Sequence, residues 1–154
     1  MSFKTDNGGF ATTADIKIDL CNNSTWGTKL SQLGKAPNYG PAFVVTTDLP
    51  DVDYAERVLA KNPGIVHLYA PKTCEPQLRE LRKRLPQLGC FAVEDAPLNI
   101  AILEPFCVWI CPGPLAPRTY ATGGVSIGIH DCGARAYVLS QLERSTLYRA
   151  KEII

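Results

Sequence analysis

Apolar and polar residues alternate along the chain in short blocks that predict strands separated by amphipathic helices. The segment ADIKIDL at residues 14–20 has the period of two that is typical of a half-buried strand. Compact apolar runs predict further strands at residues 42–47, 65–70, 90–94, 100–103, 106–110 and 125–129. Apolar residues at helical spacing predict helices at residues 24–34, 51–61, 76–89 and 132–148.

Cap and turn residues set the ends of these elements. Asp51 is predicted to open the second helix. Asp131 is the predicted cap of the last helix, because a carboxylate there can accept from the free amides of the first helical turn. Pro76 suits the first turn of the third helix, and Gly89 is predicted to end it. These assignments leave residues 1–13 as a flexible N-terminal segment and residues 14–154 as one α/β domain.

The order of the elements predicts how they pair. Early strands are spaced by helices, which implies parallel pairing through crossover connections. The last three strands are joined by tighter turns, which implies antiparallel or mixed pairing. The sequence therefore predicts a mixed β-sheet flanked by helices on both faces.

Composition and charge exclude several classes of protein. The 154 residues are 45% hydrophobic, enough for one core, and the formal charge of +1 creates no field that draws the whole chain to nucleic acid or to an acidic membrane. The start, MSFKTDNGGF, has no apolar leader segment, and no apolar run is long enough to span a bilayer. Six cysteines without a secretory signal indicate reduced thiols, so we expect a soluble, cytoplasmic protein.

The most informative segment is PLNIAILEPFCVWICPGPL at residues 97–115. With the element order around it, this segment resembles the strand, turn, strand and loop of the phospholipase D superfamily, which carry its HxK, D and GSxNL signature. The degenerate motif positions are Pro97 for histidine, Asn99 for lysine, Glu104 for aspartate, and Cys111, Pro112 and Pro114 for glycine, serine and asparagine; Leu115 keeps the leucine. The resemblance covers residues 14–149 and implies a phospholipase D-like fold.

The same resemblance implies a loss of chemistry. Family catalysis uses one histidine as the nucleophile on phosphorus, a second as the acid for the leaving group, and lysines and asparagines that hold the phosphoryl oxygens. Pro97 has no nucleophile, Asn99 carries no charge, and Pro112 lacks a backbone amide. Single-domain members pair because each chain has half a site. The resemblance therefore implies a homodimer with the apolar loops 97–99 and 111–117 at its seam.

Other residues offer weaker candidates for catalysis or metal binding. His67 lies within a predicted strand and is interpreted as a core or sheet-face histidine. Asp131 is interpreted as a helix cap with Cys132 facing inward, because adjacent side chains such as His130 and Asp131 diverge. Cys107 and Cys111, four apart on a strand, would lie roughly 13 Å apart, too far for one zinc ion or a disulfide. No cofactor or metal is expected.

A cluster of basic residues on the third helix is a candidate partner-binding surface. It consists of Arg79, Arg82, Lys83 and Arg84, and Arg118, Arg135, Arg144 and Arg149 could extend it. The alternative is a solvated helix face. The sequence predicts a catalytically inactive dimer that binds or regulates a protein or nucleic-acid partner. Two alternatives stay open: a phosphodiesterase or nuclease with a non-standard site, and a sequence-nonspecific nucleic-acid-binding protein.

Overall fold

The computed structural model describes residues 15–19, 26, 42–61, 63–103, 107–117 and 124–154. Its strands are β1 (Asp15–Asp19), β2 (Ala42–Val45), β3 (Val66–Pro71), β4 (Gly89–Val93), β5 (Asn99–Leu103), β6 (Cys107–Cys111), β7 (Ser126–His130) and β8 (Lys151–Glu152). Its helices are α1 (Val52–Leu59), α2 (Glu75–Arg84) and α3 (Cys132–Ser145), with single 3₁₀ turns at Pro63–Ile65, Lys72–Cys74 and Leu147–Arg149. Apart from Trp26, the helix predicted at residues 24–34 lies outside the described residues, as does Glu104.

The described strands form one eight-stranded sheet in the order β1-β7-β6-β5-β2-β3-β4-β8. Strands β2, β3 and β4 are parallel neighbours, whereas β5, β6 and β7 are successive antiparallel neighbours. The predicted change from parallel crossovers to antiparallel pairing along the chain is therefore confirmed.

The first strand lies at a position in the sheet that the alternation of predicted strands and helices did not indicate. The early strands were all expected to pair in parallel, but β1 is antiparallel to β7 at one edge of the sheet. Strand β2 is bonded to β3 on one side and to β5 on the other, so no open side is left for β1. The expectation was wrong for β1 because the later antiparallel strands occupy the position beside β2.

Helices cover both faces of the sheet, as predicted. Buried side chains of α1 and α2 pack on one face with Leu68, Ala101 and Trp109, and α3 packs on the other with Tyr69 and Ile100. Both faces of the central strands are buried, which explains why these strands are continuous apolar runs in the sequence. Burial on both faces also fixes the pairing register, since a shift by one residue would exchange the two cores.

The predicted cap at Asp131 is confirmed, and Asp51, predicted to open the second helix, is also an N-cap. Asp51 accepts a hydrogen bond from the Tyr54 amide at 2.9 Å, and Asp131 accepts one from the Ala134 amide at 2.7 Å. Such a cap stabilises a helix by about 1 kcal/mol.

Two details of the helices differ from the prediction. Helix α2 ends at Arg84 and not at Gly89, because Leu85 precedes Pro86 and takes an extended conformation with φ −126°. Cys132 is exposed and does not face inward. It lies two residues before the buried Ala134, about 200° around the helix, so the core-facing side of α3 turns away from it.

The described helices are all too short or too polar to cross a bilayer.

Candidate functional site

The structure gathers the degenerate motif positions at one edge of the sheet. Asn99 begins β5 directly opposite Cys111, which ends β6, while Pro97 precedes Asn99 and Pro112 and Pro114 follow Cys111. Strands β2, β3 and β4 end at this edge and β7 and β8 begin there. We call it the motif edge. The spacing in the sequence thus brings together every described motif position.

Asn99, which the resemblance assigns to the lysine position, connects two strands through its side chain. Its side chain is 8% exposed, and its Oδ1 accepts hydrogen bonds from the Thr47 amide at 2.7 Å and the Thr47 hydroxyl at 3.1 Å. These bonds join the start of β5 to the end of β2. The oxygen is therefore engaged within the protein and does not face a ligand.

Thr46 fixes the loop that follows β6. Its fully buried hydroxyl donates to the Asp48 carbonyl at 2.7 Å and accepts from the Leu115 amide at 2.9 Å. The same loop is held from another side, because the Trp26 indole donates to the Gly113 carbonyl at 3.2 Å. The loop that follows β6 is thus bound to the protein's own core.

Sequence reasoning missed Thr46 and Thr47. The only signal for them is that two hydroxyl residues directly follow a buried apolar strand, where a side-chain oxygen can satisfy backbone groups that the sheet no longer pairs.

The Cys74 thiol, which follows β3 at the motif edge, is poorly suited to nucleophilic attack. Burial raises the pKa of Cys74, and the Asp48 carboxylate raises it further, although the Leu49 backbone opposes them. The Cys74 Sγ lies 3.5 Å from the Asp48 Oδ1, close enough to donate a weak hydrogen bond. A thiol held protonated in this way is a weak nucleophile.

Apolar residues surround the surface of the motif edge. Pro97 is exposed, Val125 is 40% exposed, and Leu98, Pro112 and Pro114 are half-buried; these five residues are named the apolar rim. Pro112 packs against Gly124, where an added Cβ would lie 2.7 Å from the proline Cβ and where φ is +108°. Only glycine fits there, so the two loops of the rim lie in close contact.

Both histidines of the chain lie away from the motif edge. His67 is near the start of β3 and His130 ends β7, each about four residues, or roughly 13 Å, from that edge. The two are separated by four strand spacings, roughly 19 Å. Within one chain they therefore cannot act together on one phosphoryl group.

Each histidine has a structural environment of its own. The His67 ring is packed between Phe43 and Phe91, with centroid distances of 5.5 and 5.6 Å, which confirms the sheet-face interpretation. His130 is exposed, and its neighbour Asp131 is engaged in capping α3. No described group of three His, Cys, Asp or Glu side chains could hold a metal ion.

The basic helix carries less free charge than its sequence suggests. Arg79 pairs with Glu75 at 2.7 Å on the same helix. Arg84 pairs with Asp53 at 2.6 Å and Glu56 at 2.9 Å on α1, and with Glu80 at 3.1 Å. Together with Arg82 and Lys83, the four cations of α2 share a surface with four carboxylates, so the formal charge cancels. Binding of a partner by this helix stays a prediction.

A second group of cations lies at the motif edge itself. Lys72 follows β3 and forms an ion pair with Glu94, which follows β4. That ion pair lowers the pKa of Glu94, and Lys151 and Arg149 lower it further. We name Lys72, Arg149 and Lys151 the cationic patch.

No protein-family model and no curated protein matches the sequence, whereas several solved structures share its fold. TrmBL2, an archaeal chromatin protein with a novel mode of DNA binding, matches with a TM-score of 0.64 and 13% identity over 90% of this chain and 54% of its own. Nuc from Salmonella typhimurium, a phospholipase D family member, matches with a TM-score of 0.62 and 6% identity over 90% of this chain and 97% of its own. NucT from Helicobacter pylori matches with a TM-score of 0.66 and 12% identity over 90% and 100%.

This chain thus spans about half of TrmBL2 and nearly all of Nuc and NucT. At these identities the likeness concerns the fold alone. The chain has the phospholipase D-type fold, which confirms the predicted mixed sheet flanked by helices.

Proposed function

We propose that this chain is a catalytically silent phospholipase D-type domain that acts as a homodimeric binding and regulatory module in the cytoplasm. The observation that carries the proposal is the bridge made by Asn99. At the position where the family places a charged lysine, the side-chain oxygen accepts two hydrogen bonds from Thr47 and joins two strands. The neutral side chain supplies no positive charge there, and its oxygen, as an acceptor, cannot stabilise a phosphoryl oxygen.

The groups that could replace the lost nucleophile support the same conclusion. His67 and His130 both lie at the edge of the sheet opposite Pro97, four strands apart from each other. Cys74 is held as a neutral thiol by burial and by Asp48. Phosphoryl transfer needs an activated nucleophile together with preorganised positive charge. The described residues around Asn99 include no activated nucleophile.

Hydrolysis of a generic phosphodiester and of plasmid DNA tests the catalytic half of the proposal. We expect no turnover above that of His67→Ala and His130→Ala variants prepared in the same way. Turnover that either substitution abolishes would establish the alternative, a phosphodiesterase or nuclease with a non-standard site. The two variants also serve as controls for a contaminating nuclease, whose activity they would not change.

The apolar rim supports the dimeric half of the proposal. Val125 and Pro97 present apolar surface at the edge where the resemblance places the dimer seam. A symmetric pair would bury the same patch on both chains. Interface cores are depleted in charge, and the rim consists of three prolines, a leucine and a valine. Partner binding would then use surfaces outside the seam.

Binding of nucleic acid is a second candidate function, which the cationic patch favours. The patch lies outside α2, where carboxylates cancel the charge, and its position beside the rim would leave it accessible in a dimer. TrmBL2, which shares the fold, is itself described as binding DNA.

A further inference from the structure

An exposed aromatic ring lies next to the cationic patch. Tyr148 is 61% exposed and belongs to the 3₁₀ turn that follows α3. The Arg149 guanidinium carbon lies 4.9 Å from the centroid of its ring, within the range of a cation–π contact. The neighbours Leu147 and Ala150 pack on the core beneath α3, so the turn that carries the ring is anchored on both sides.

The patch around this ring has an excess of positive charge. Lys72, Arg149 and Lys151 all lower the pKa of Glu94, and the three cations exceed this carboxylate and the exposed Asp95 that follows it. Lys72 remains 46% exposed despite its ion pair. Glu152 does not join the group, because successive residues of a strand point to opposite faces and it is paired with Phe91 on the α3 side.

The positions of these side chains form a short row. Lys72 follows β3 and Lys151 belongs to β8, two strands away, so their backbones are roughly 10 Å apart across the end of β4. Arg149 and Tyr148 continue the row beyond the start of β8. The row therefore combines point charges, a guanidinium and an aromatic face along one edge.

We infer that Tyr148 and the cationic patch bind single-stranded nucleic acid, with a base stacked on the tyrosine and the phosphates held by Lys72, Arg149 and Lys151. Exposed rings accept unstacked bases of any sequence, and Lys and Arg follow the backbone. A duplex presents no free base face to the ring, and an acidic peptide has no base to stack on it. The inference rests on the proposed binding function and names its partner.

Binding of a short fluorescent single-stranded oligonucleotide, followed by anisotropy, tests the inference. Tyr148→Ala should weaken binding about 5- to 150-fold, the range observed for loss of one base–aromatic stack. Tyr148→Phe keeps the ring and should leave the affinity unchanged. Lys151→Gln should weaken binding and lower the salt dependence, whereas Lys61→Gln, an exposed lysine that follows α1 at the opposite edge of the sheet, should change neither.

The salt dependence gives an independent measure. Three phosphate contacts on a single strand predict a slope of log affinity against log salt of about −2. Between 50 and 200 mM salt the affinity should therefore fall roughly 20-fold. A slope near zero would overturn the inference.

Other outcomes would overturn it as well. Binding that Tyr148→Ala leaves unchanged, a preference for duplex over single strand, or no binding at low salt would each refute it. These results would leave the proposed silent dimer standing, because that proposal depends on turnover and solution mass. Conversely, turnover that a histidine substitution abolishes would refute the proposed absence of catalysis without affecting the predicted role of Tyr148.

Discussion

Replacement of Thr46 by valine tests whether the hydrogen bonds of its side chain stabilise the motif edge. We call Thr46 and its two hydrogen-bond partners, Asp48 and Leu115, the threonine joint. The substitution keeps the β-branched shape of the side chain and removes only its hydroxyl. The hydroxyl donates to the Asp48 carbonyl and accepts from the Leu115 amide, and both Thr46 and Leu115 are 0% exposed. Water therefore cannot replace the lost bonds.

The expected loss of stability follows from these two bonds. A net hydrogen bond contributes about 1 kcal/mol, and a buried amide left without a partner costs about 1–3 kcal/mol. The free energy of unfolding should fall by about 2–4 kcal/mol for Thr46→Val. In a chain of this size such a loss lowers the melting temperature by roughly 5–15 °C.

Urea and thermal unfolding measure this loss, and the next residue supplies the control. Thr47→Val removes an exposed hydroxyl but keeps the hydrogen bond from the backbone amide of residue 47 to the Asn99 side chain. The loss of unfolding free energy should therefore stay below about 1 kcal/mol. Thr46→Ser keeps the oxygen and should recover most of the stability. Equal losses of unfolding free energy for Thr46→Val and Thr47→Val would refute the structural role of the threonine joint. Failure of Thr46→Ser to recover stability would refute it as well.

Three further changes have expected outcomes. Gly128→Ala should destabilise the protein by about 1–3 kcal/mol in urea unfolding, because its Cβ would lie 2.5 Å from the Trp109 ring. Arg84→Ala should destabilise more than Arg82→Ala at low salt, since Arg84 joins α1 and α2 through carboxylates on both helices, and high salt should shrink the difference. Burial raises the pKa of Cys90 from 9.0 to about 12. The protonated thiol therefore stabilises the folded state below pH 9, and this contribution is lost between pH 9 and 12. Over that range the free energy of unfolding should fall less steeply with pH for Cys90→Ala than for the unmodified protein.

Each of these predictions has a control or a contrary result. Gly64→Ala places its Cβ in ordinary contact with Gln87, at 3.4 Å, and should cost far less than Gly128→Ala. Similar losses for Arg84→Ala and Arg82→Ala at low salt would show that the ion pairs do not stabilise the helix pair. Parallel pH profiles for Cys90→Ala and the unmodified protein would contradict the assigned burial of the thiol.

Sequence patterns predicted the features that depend on local physics. The strand positions follow from apolar runs that need burial on both faces. The cap at Asp131 follows from backbone amides that lack partners at a helix start. The tight turns between the last three predicted strands indicated antiparallel or mixed pairing, and β5, β6 and β7 pair in this way.

Features that depend on distant partners were not predictable in this way. The position of β1 depends on which strands flank β2, and the short strand β8 has too few residues to show a period. The threonine joint needs Thr46 and Leu115 to meet across 69 residues. The neutralisation of Arg84 depends on Asp53 and Glu56 of another helix, which the charge pattern of α2 alone does not reveal.

The solution mass of the protein and of Val125→Asp, measured by light scattering, tests the central claim that the motif edge has become an interface. The claim predicts twice the 16.8 kDa chain mass for the unmodified protein and a single chain mass for Val125→Asp. Ile154→Asp, which changes an apolar residue that is 96% exposed and outside the rim, should remain a dimer. A monomeric unmodified protein, or a dimer that Val125→Asp leaves intact, would contradict the claim.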